Sequence, residues 1–409
     1  MDAPVKRRIV TFLFALPGLW AGVAPAQTNG AGAPIRIGLI APLSGGSADF
    51  GTSMHHGARL AVDEINALGG YLGRPLELVV RDDRAVPDTG LAAAEELVQR
   101  ERVDFTIGFC NTGVALRALE VFERARHLLM VPCSQGTAVT TRTPPAKSHV
   151  FRMAPRDDMN AAALVREIVD RRGLKRVALL ADRTGYGEGG LRDLTAQLAQ
   201  RGLAPVHVAR FALGVTSLRD ELAQARAAGA EAVVNYTVGP EQAVAVRSRA
   251  ELGWRVPYFA PWPLSFASVL QQAGPDALEG TLTVQSIIQD AAHERRSTFI
   301  ARYAKAYPAE RPIGSLMAAA QSYDAVHLML RALFQTRGAT DGPALKAALE
   351  DLREPYRGVV TTYDKPFDAT DHDAFSERMI WLGEWKRGRI VYHDPSDARL
   401  SAMIRRKRE

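Results

Sequence analysis

Cysteine is scarce, with two in 409 residues. That is too few for a disulfide-built scaffold or for a zinc site of the Cys₄ or Cys₃His type. Long apolar runs are missing too, and nothing reaches the ~20 residues that span a bilayer. No tract is biased enough for a disordered or fibrous chain. Catalytic signatures are absent: there is no G-x-S-x-G, H-E-x-x-H, C-x-x-C or P-loop. The nine histidines are scattered. The adjacent His55 and His56 would point ~100° apart on a helix, a poor shared metal site. What is present is ordinary globular material, 47% apolar and 23% charged, enough for two or three domains. Nothing in this inventory calls for an enzyme.

The net charge of +6 raises the question of a nucleic-acid partner. Much of that charge sits at the N-terminus, where Lys6, Arg7 and Arg8 precede an apolar stretch, 9–24, broken by Pro17-Gly18. Ala24-Pro25-Ala26 then stands before Gln27. A basic segment, a short apolar segment and a small-x-small step make an export signal, cleaved near Ala26. The apolar run is too short for an anchor, and no cysteine at the cut supports lipid attachment. Residues 1–26 carry a net +2 and the tail Arg405-Arg406-Lys407-Arg408-Glu409 a net +3, which leaves about +1 for the body. No basic stripe is interleaved with aromatics, so nucleic acid is not an expected partner.

Short β-branched runs alternate with helical patterns, the signature of βαβ units and parallel sheets. One set of strands is expected at 35–43, 76–83, 103–109 and 128–133. A second is expected at 176–182, 205–211, 231–237 and 257–262, with a similar spacing. Ala58, Ala61, Ile65 and Leu68 form one helical apolar face, ended by Gly69-Gly70. The pattern is an α/β fold of two doubly wound, Rossmann-like lobes in tandem. Beyond 284 the rhythm changes to helices over 295–306, 315–337 and 342–353, then a hairpin of 379–385 with 389–392. The chain is expected to return and complete each lobe, crossing near 150, 284 and 362. That assigns 34–150 with 285–361 to the first lobe, 151–284 with 362–396 to the second, and 397–409 to a basic tail. Several crossovers make a hinge, and the cleft at the strand C-termini is the expected ligand site.

Gly185, Gly187 and Gly190 fit G-x-G-x-x-G after the strand at 176–182. A dinucleotide site would need an acid at the end of the next strand. Here that strand ends Ala209-Arg210-Phe211, and export also argues against a nicotinamide cofactor, so no cofactor is expected. Asp368, Asp371 and Asp373 suggest a loose calcium site or, better, a solvated turn. The formal glycosylation sequon Asn235-Tyr236-Thr237 falls in an expected buried strand and is given no role. Cys110 and Cys133 follow two strands that are expected to be neighbours. They either pair in an oxidising compartment or remain two buried thiols. Three strand ends are rich in hydroxyls and small residues: Ser44 to Ser47 with Phe50, Asn111-Thr112-Gly113, and Pro132 to Thr137. Hydroxyls beside free N–H groups at a helix start suit an anionic oxygen.

With these loops in view the sequence resembles the type I periplasmic binding proteins, the leucine/isoleucine/valine-binding class that serves ABC importers. The marks are the run Ile37 to Gly45, Gly57-Ala58-Arg59-Leu60-Ala61, and Asp63-Glu64-Ile65-Asn66. Gly73-Arg74-Pro75-Leu76, Asp82-Asp83, and Asp182 with Tyr186-Gly187-Glu188-Gly189 complete the set, over about 34–395. The resemblance implies the periplasmic binding protein-like I fold. It places an aromatic lid at Phe50, a carboxylate-holding hydroxyl at Thr112, and a closing tyrosine at Tyr186. Cys133 and Ser134 fall in the loop whose carbonyl takes the ligand ammonium, and Gln135 replaces a threonine. Two departures stand out. The loop 260–263 reads Ala-Pro-Trp-Pro, with Trp262 where an ammonium-binding acid is expected, and a second aromatic after Tyr236 is lost in Thr237-Val238-Gly239. The family cysteine near Arg84 is also absent.

The expectation is therefore a periplasmic, monomeric solute-binding protein with no catalytic residue, metal or cofactor. Thr112, Ser134 and Gln135 would grip the oxygen end of a small carboxylate, and Phe50, Tyr186 and Trp262 would enclose its apolar body. The indole tips the ligand from branched-chain amino acids towards an aromatic or other apolar acid. The partner would be an ABC permease; a signalling receptor of the same fold, or an NADP-linked enzyme, are the alternatives.

Overall fold

Strand-forming and helix-forming runs alternate as expected. In a computed structural model describing Met1, residues 32–289, 293–402 and Lys407, they assemble into two main sheets. The first contains β1 (Ile35–Ala41), β2 (Leu76–Asp82), β3 (Phe105–Gly108), β4 (Leu129–Val131) and β5 (Val150–Arg152), all parallel. Their order is β2-β1-β3-β4-β5, so the winding reverses between β1 and β3.

The second sheet takes β6 (Val177–Asp182), β7 (His207–Phe211), β8 (Ala232–Tyr236), β9 (Tyr258–Ala260) and β10 (Leu282–Gln285) in parallel. A small ribbon, β11 (Tyr356–Arg357) with β12 (Thr362–Tyr363), stands apart. The hairpin β13 (Trp381–Lys386) and β14 (Arg389–Tyr392) then joins β10 antiparallel, giving the order β14-β13-β10-β9-β8-β6-β7. Its winding reverses between β6 and β8. In such sheets the crevice outside the reversal point, at the strand C-termini, is where ligands bind.

Two strands of the main sheets, besides the β11–β12 ribbon, are not among the expected ones. β5 is three residues long and ends in an arginine, and β10 alternates leucine and valine with threonine and glutamine. Both are nonetheless fully buried, because tertiary partners satisfy their polar side chains.

A returning helix packs against the first sheet's leading helix. Helix Leu316–Gln335 lies along helix Ala48–Ala67, with Ser322 Oγ donating to Met54 O at 2.7 Å and Tyr323 Oη to Glu64 at 2.6 Å. The crossings differ in detail from the expected ones. The first follows Arg152, since β5 belongs to the first sheet, and the second follows β10. The third comes later than 362. Asp324, buried in helix Leu316–Gln335, accepts from the Tyr356 and Tyr363 hydroxyls, each at 3.1 Å, and from the Val359 and Val360 N–H groups. Beyond it, Asp373 pairs in parallel with Arg152 at the β5 edge. Residues 362–374 thus stay with the first lobe, tied there by a buried carboxylate and a strand edge.

The expected export signal, residues 1–26, lies outside the described residues. Of the expected basic tail, residues 397–402 belong to helix Pro395–Ala402, and Lys407 is not free in solvent but pairs with Asp371 at 2.5 Å. Among the described residues no helix is long and apolar enough to cross a membrane. One apolar cluster runs through both lobes and across the cleft, including Phe50, Tyr186, Trp262 and Phe266. A separate cluster around Ile40, Phe109 and Phe122 covers the other face of the first sheet.

Candidate functional site

At the first reversal point, β1 runs into a loop held by Asp82, which accepts from Leu43 N at 2.9 Å and Ser44 Oγ at 2.6 Å. The loop delivers Phe50 into the first turn of helix Ala48–Ala67, where the ring is buried. β3 ends beside helix Thr112–Ala125, whose N-cap residue, Asn111, caps no N–H with its side chain. Asn111 Nδ2 instead donates to Ser47 Oγ at 3.1 Å. The first-turn N–H groups are left without a side-chain cap at the positive end of the helix dipole.

The loop after β4 brings Ser134 Oγ to 3.2 Å from Thr112 Oγ1. A disulfide joins Cys110 to Cys133, with Cα atoms 4.6 Å apart, and clamps the ends of β3 and β4. The Cys133 thiol is consumed by that bond, so only its backbone is available to a ligand. Gln135 turns its side chain to Asn160, whose Nδ2 donates to Oε1 at 3.0 Å. Arg152, fully buried, donates to the carbonyls of Gln135 and Gly136 at 2.9 and 2.8 Å, which fixes the loop from behind.

The second lobe supplies the opposite wall. Asp182 ties the ends of β6 and β8 together, accepting from Thr184 N at 2.9 Å, Thr237 Oγ1 at 2.7 Å and Val238 N at 3.1 Å. Thr184 caps helix Gly185–Ala199, accepting from Tyr186 N at 3.2 Å and Gly187 N at 3.4 Å. The glycine motif is explained by close packing. A Cβ at Gly187 would lie 2.2 Å from Asp182 O, and one at Gly190 2.0 Å from the Tyr236 ring. Tyr236 therefore lies against the helix, its ring 5.0 Å from that of Tyr186. Trp262 follows β9 and meets Phe50 across the cleft at 4.9 Å between ring centroids; Phe266 packs edge-on against Phe50 at 4.3 Å. These are favourable aromatic geometries.

The lobes touch. Thr137 Oγ1 donates to Asp193 across the cleft at 2.7 Å, and Ser268 N to Asp49 at 3.2 Å. A Cβ on Gly185 would lie 3.1 Å from Gly113 Cα, so two helix N-termini face each other there. Two positive dipole ends side by side favour an anion between them.

Two buried polar atoms in this region have no protein hydrogen-bond partner, Asn111 Oδ1 and Asp157 Oδ2. Asp157 opens helix Asp157–Val165 directly after the first crossing. Its N–H donates to Gln135 O at 2.8 Å, and its Oδ1 accepts from Tyr236 Oη at 2.5 Å. Burial pushes the Asp157 carboxyl up to about 7, against the lowering effect of the Tyr236 hydrogen bond. Burial, reinforced by Asp157, likewise raises Tyr186 and Tyr236, so both hydroxyls stay protonated.

The sequence-predicted residues are thus arranged as three contacting groups: Phe50 with Trp262, Thr112 with Ser134, and Tyr186 beside Tyr236. Gln135 is next to them but engaged by Asn160. Sequence reasoning missed Asp157, Asn160, Tyr236 and Phe266. Asp157 carried no local signal, because its segment reads only as a linker. The acidic turn near 370 is internally bonded: Thr370 N donates to Asp368, Asp373 N to Asp371, and Arg152 to Asp373. Among the described residues no group of His, Cys, Asp and Glu is placed to hold a metal ion. Asn235 of the formal sequon is buried, and its Nδ2 donates to Tyr258 Oη at 2.9 Å.

Two doubly wound lobes and a clamped, aromatic cleft define a class that comparison with known proteins identifies. Residues 34–389 match the periplasmic binding protein family, and the chain belongs to it. The Leu/Ile/Val-binding protein BraC3 of Rhizobium johnstonii is 28% identical over 360 residues, covering 88% of this chain and 94% of its own. The branched-chain amino acid transporter substrate-binding protein of Streptococcus pneumoniae, solved with isoleucine, superposes with a TM-score of 0.75 at 22% identity. That match covers 87% of this chain and 97% of the other. A Rhodopseudomonas palustris solute-binding protein of an ABC transporter, solved with benzoate, gives 0.75 at 20% identity, over 88% and 95%. The fold is that of the type I periplasmic binding proteins, and the protein is a substrate-binding protein of that kind.

Proposed function

We propose that this protein is the periplasmic substrate-binding component of an ABC importer of the branched-chain amino acid type, and that it binds a small carboxylate in the inter-lobe cleft. The single observation that carries the reading is the pairing of the uncapped helix start at Thr112, with the Ser134 hydroxyl at 3.2 Å, against the buried Phe50–Trp262–Phe266 wall. Uncapped N–H groups and hydroxyls suit carboxylate oxygens, and a face of three aromatic rings suits an apolar body. The relatives in this family are solved with both isoleucine and benzoate. The indole of Trp262, where a carboxylate would serve an amino acid, favours an aromatic or other apolar acid. Binding shifts an open–closed equilibrium, and the closed surface is what the permease reads. The protein's work is binding, with no covalent step.

A thermal-shift screen against amino acids, aromatic acids, amides and sugars tests this. A ligand at 100 times its Kd adds about 2.7 kcal/mol of stability. Carboxylates should give the large shifts. A shift from sugars with none from any carboxylate would overturn the proposal, and a response to leucine and valine but not to aromatic acids would overturn the preference drawn from Trp262.

A further inference from the structure

The cleft holds a carboxylate that the reading above does not use. Asp157 is fully buried, and its position is fixed from both lobes: its N–H bonds to Gln135 O at 2.8 Å, and Tyr236 Oη donates to its Oδ1 at 2.5 Å. Asn160 Nδ2 also reaches Oδ1, at 3.3 Å. The other oxygen, Oδ2, receives no protein hydrogen bond. The Tyr186 ring lies tilted against that of Tyr236, 5.0 Å between centroids. An unmet buried acceptor thus sits where the two lobes meet, between Gln135 and Tyr236. The loop Ala260-Pro261-Trp262-Pro263 offers no acid that could share the task. A buried acceptor without a partner is costly, and a ligand donor placed on it removes the cost.

We propose that Asp157 is the specificity-determining acceptor of this site, selecting ligands that carry a hydrogen-bond donor, an ammonium or a hydroxyl, in addition to their carboxylate. The inference rests on the cleft being a carboxylate site. It narrows the ligand class: a plain apolar acid satisfies the helix start at Thr112 but leaves Asp157 Oδ2 unmet.

The test is calorimetric titration of the protein with two matched pairs: leucine against 4-methylpentanoate, and 4-hydroxybenzoate against benzoate. The first pair differs by an ammonium, the second by a hydroxyl. The donor-bearing member of at least one pair should bind roughly 10- to 100-fold more tightly, and which pair does so identifies the donor. Asp157→Asn keeps an acceptor for Tyr236 but turns an N–H₂ towards the ligand. It should abolish that preference, leaving the two members of the pair within about 3-fold of each other. Equal affinity within both pairs overturns the proposal and leaves the carboxylate reading standing, as does a preference that survives in Asp157→Asn. Binding by none of the four compounds overturns the carboxylate reading itself, and this inference with it. If Asp157→Asn does not fold, the wild-type comparison within each pair decides.

Discussion

Arg152 offers a perturbation whose consequence can be worked from the structure. Its side chain is fully buried and makes four directed contacts. Nε donates to Asp373 at 2.6 Å, one terminal nitrogen to the carbonyls of Gln135 and Gly136, and the other to Thr140 Oγ1 at 2.6 Å. It therefore joins β5, the 371–374 edge and the ligand loop. Breaking a buried ion pair by removing one partner costs about 3–5 kcal/mol. Here Arg156 remains 3.0 Å from Asp373, which compensates in part, while two buried carbonyls lose their donor. We expect Arg152→Met to lose about 3 kcal/mol in urea titrations followed by circular dichroism. For a cooperative unit of lobe size that is a fall of roughly 6–12 °C in the melting midpoint. Burial acts to raise the Asp373 carboxyl, but Arg152 and Arg156 outweigh it and hold it below its ordinary value. Its contribution is present above the ordinary carboxylate range and lost as pH falls, so the gap between variant and wild type should narrow below about pH 4. Ligand affinity should fall as well, because the 134–136 loop loses its anchor. A loss under about 1 kcal/mol at neutral pH would refute this reasoning.

Other perturbations are equally direct. Replacing both Cys110 and Cys133 by alanine opens a loop with a sequence separation of 23 and should cost about 3 kcal/mol in chemical denaturation; an unchanged midpoint contradicts the clamp. Gly190→Ala places a methyl group 2.0 Å from the Tyr236 ring and should cost roughly 1–3 kcal/mol while weakening ligand binding; a neutral outcome in both would show that the ring is free to move. Burial raises the Asp83 carboxyl from 3.8 to about 7, so between those values the folded chain keeps a proton that the unfolded chain has shed, and stability rises as pH falls. His127 and His327, which burial lowers to about 4, act in the opposite sense as pH falls from 6.5. Asp83→Asn removes the compensating gain. Its stability should therefore drop more steeply than that of wild type between about pH 7 and 4.5, by on the order of 3 kcal/mol; parallel pH profiles would contradict the burial argument.

Period-two and period-three-to-four apolar patterns located eight strands of the two main sheets, because most are short runs of buried aliphatic residues such as Val177–Asp182. Patterning failed where a buried element is polar. Arg152 in β5 and Thr283 in β10 find partners well along the chain, Asp373 and the Pro261 carbonyl, and no local window reveals that. The late third crossing has the same cause, since Asp324 binds Tyr356 and Tyr363 from more than 30 positions away. In the site, the hydroxyl loops and Phe50 were legible because strand ends and helix starts leave turn residues in the sequence. Asp157 was not, because only the arrival of Tyr236 from β8 and Gln135 from the β4 loop makes it a buried acceptor. The glycines at 187 and 190 carry a nucleotide-like spacing for a different physical reason, the approach of a strand carbonyl and a tyrosine ring.

The central claim is that the helix start at Thr112 holds a ligand carboxylate. Calorimetric titration of the wild-type protein and of Thr112→Ala, with whichever carboxylate gives the largest thermal shift, tests it most directly. The account predicts one-to-one binding to the wild type and a loss of about 1–3 kcal/mol in the variant, roughly 5- to 150-fold in Kd. An affinity unchanged by Thr112→Ala, in a variant that melts like the wild type, would contradict it.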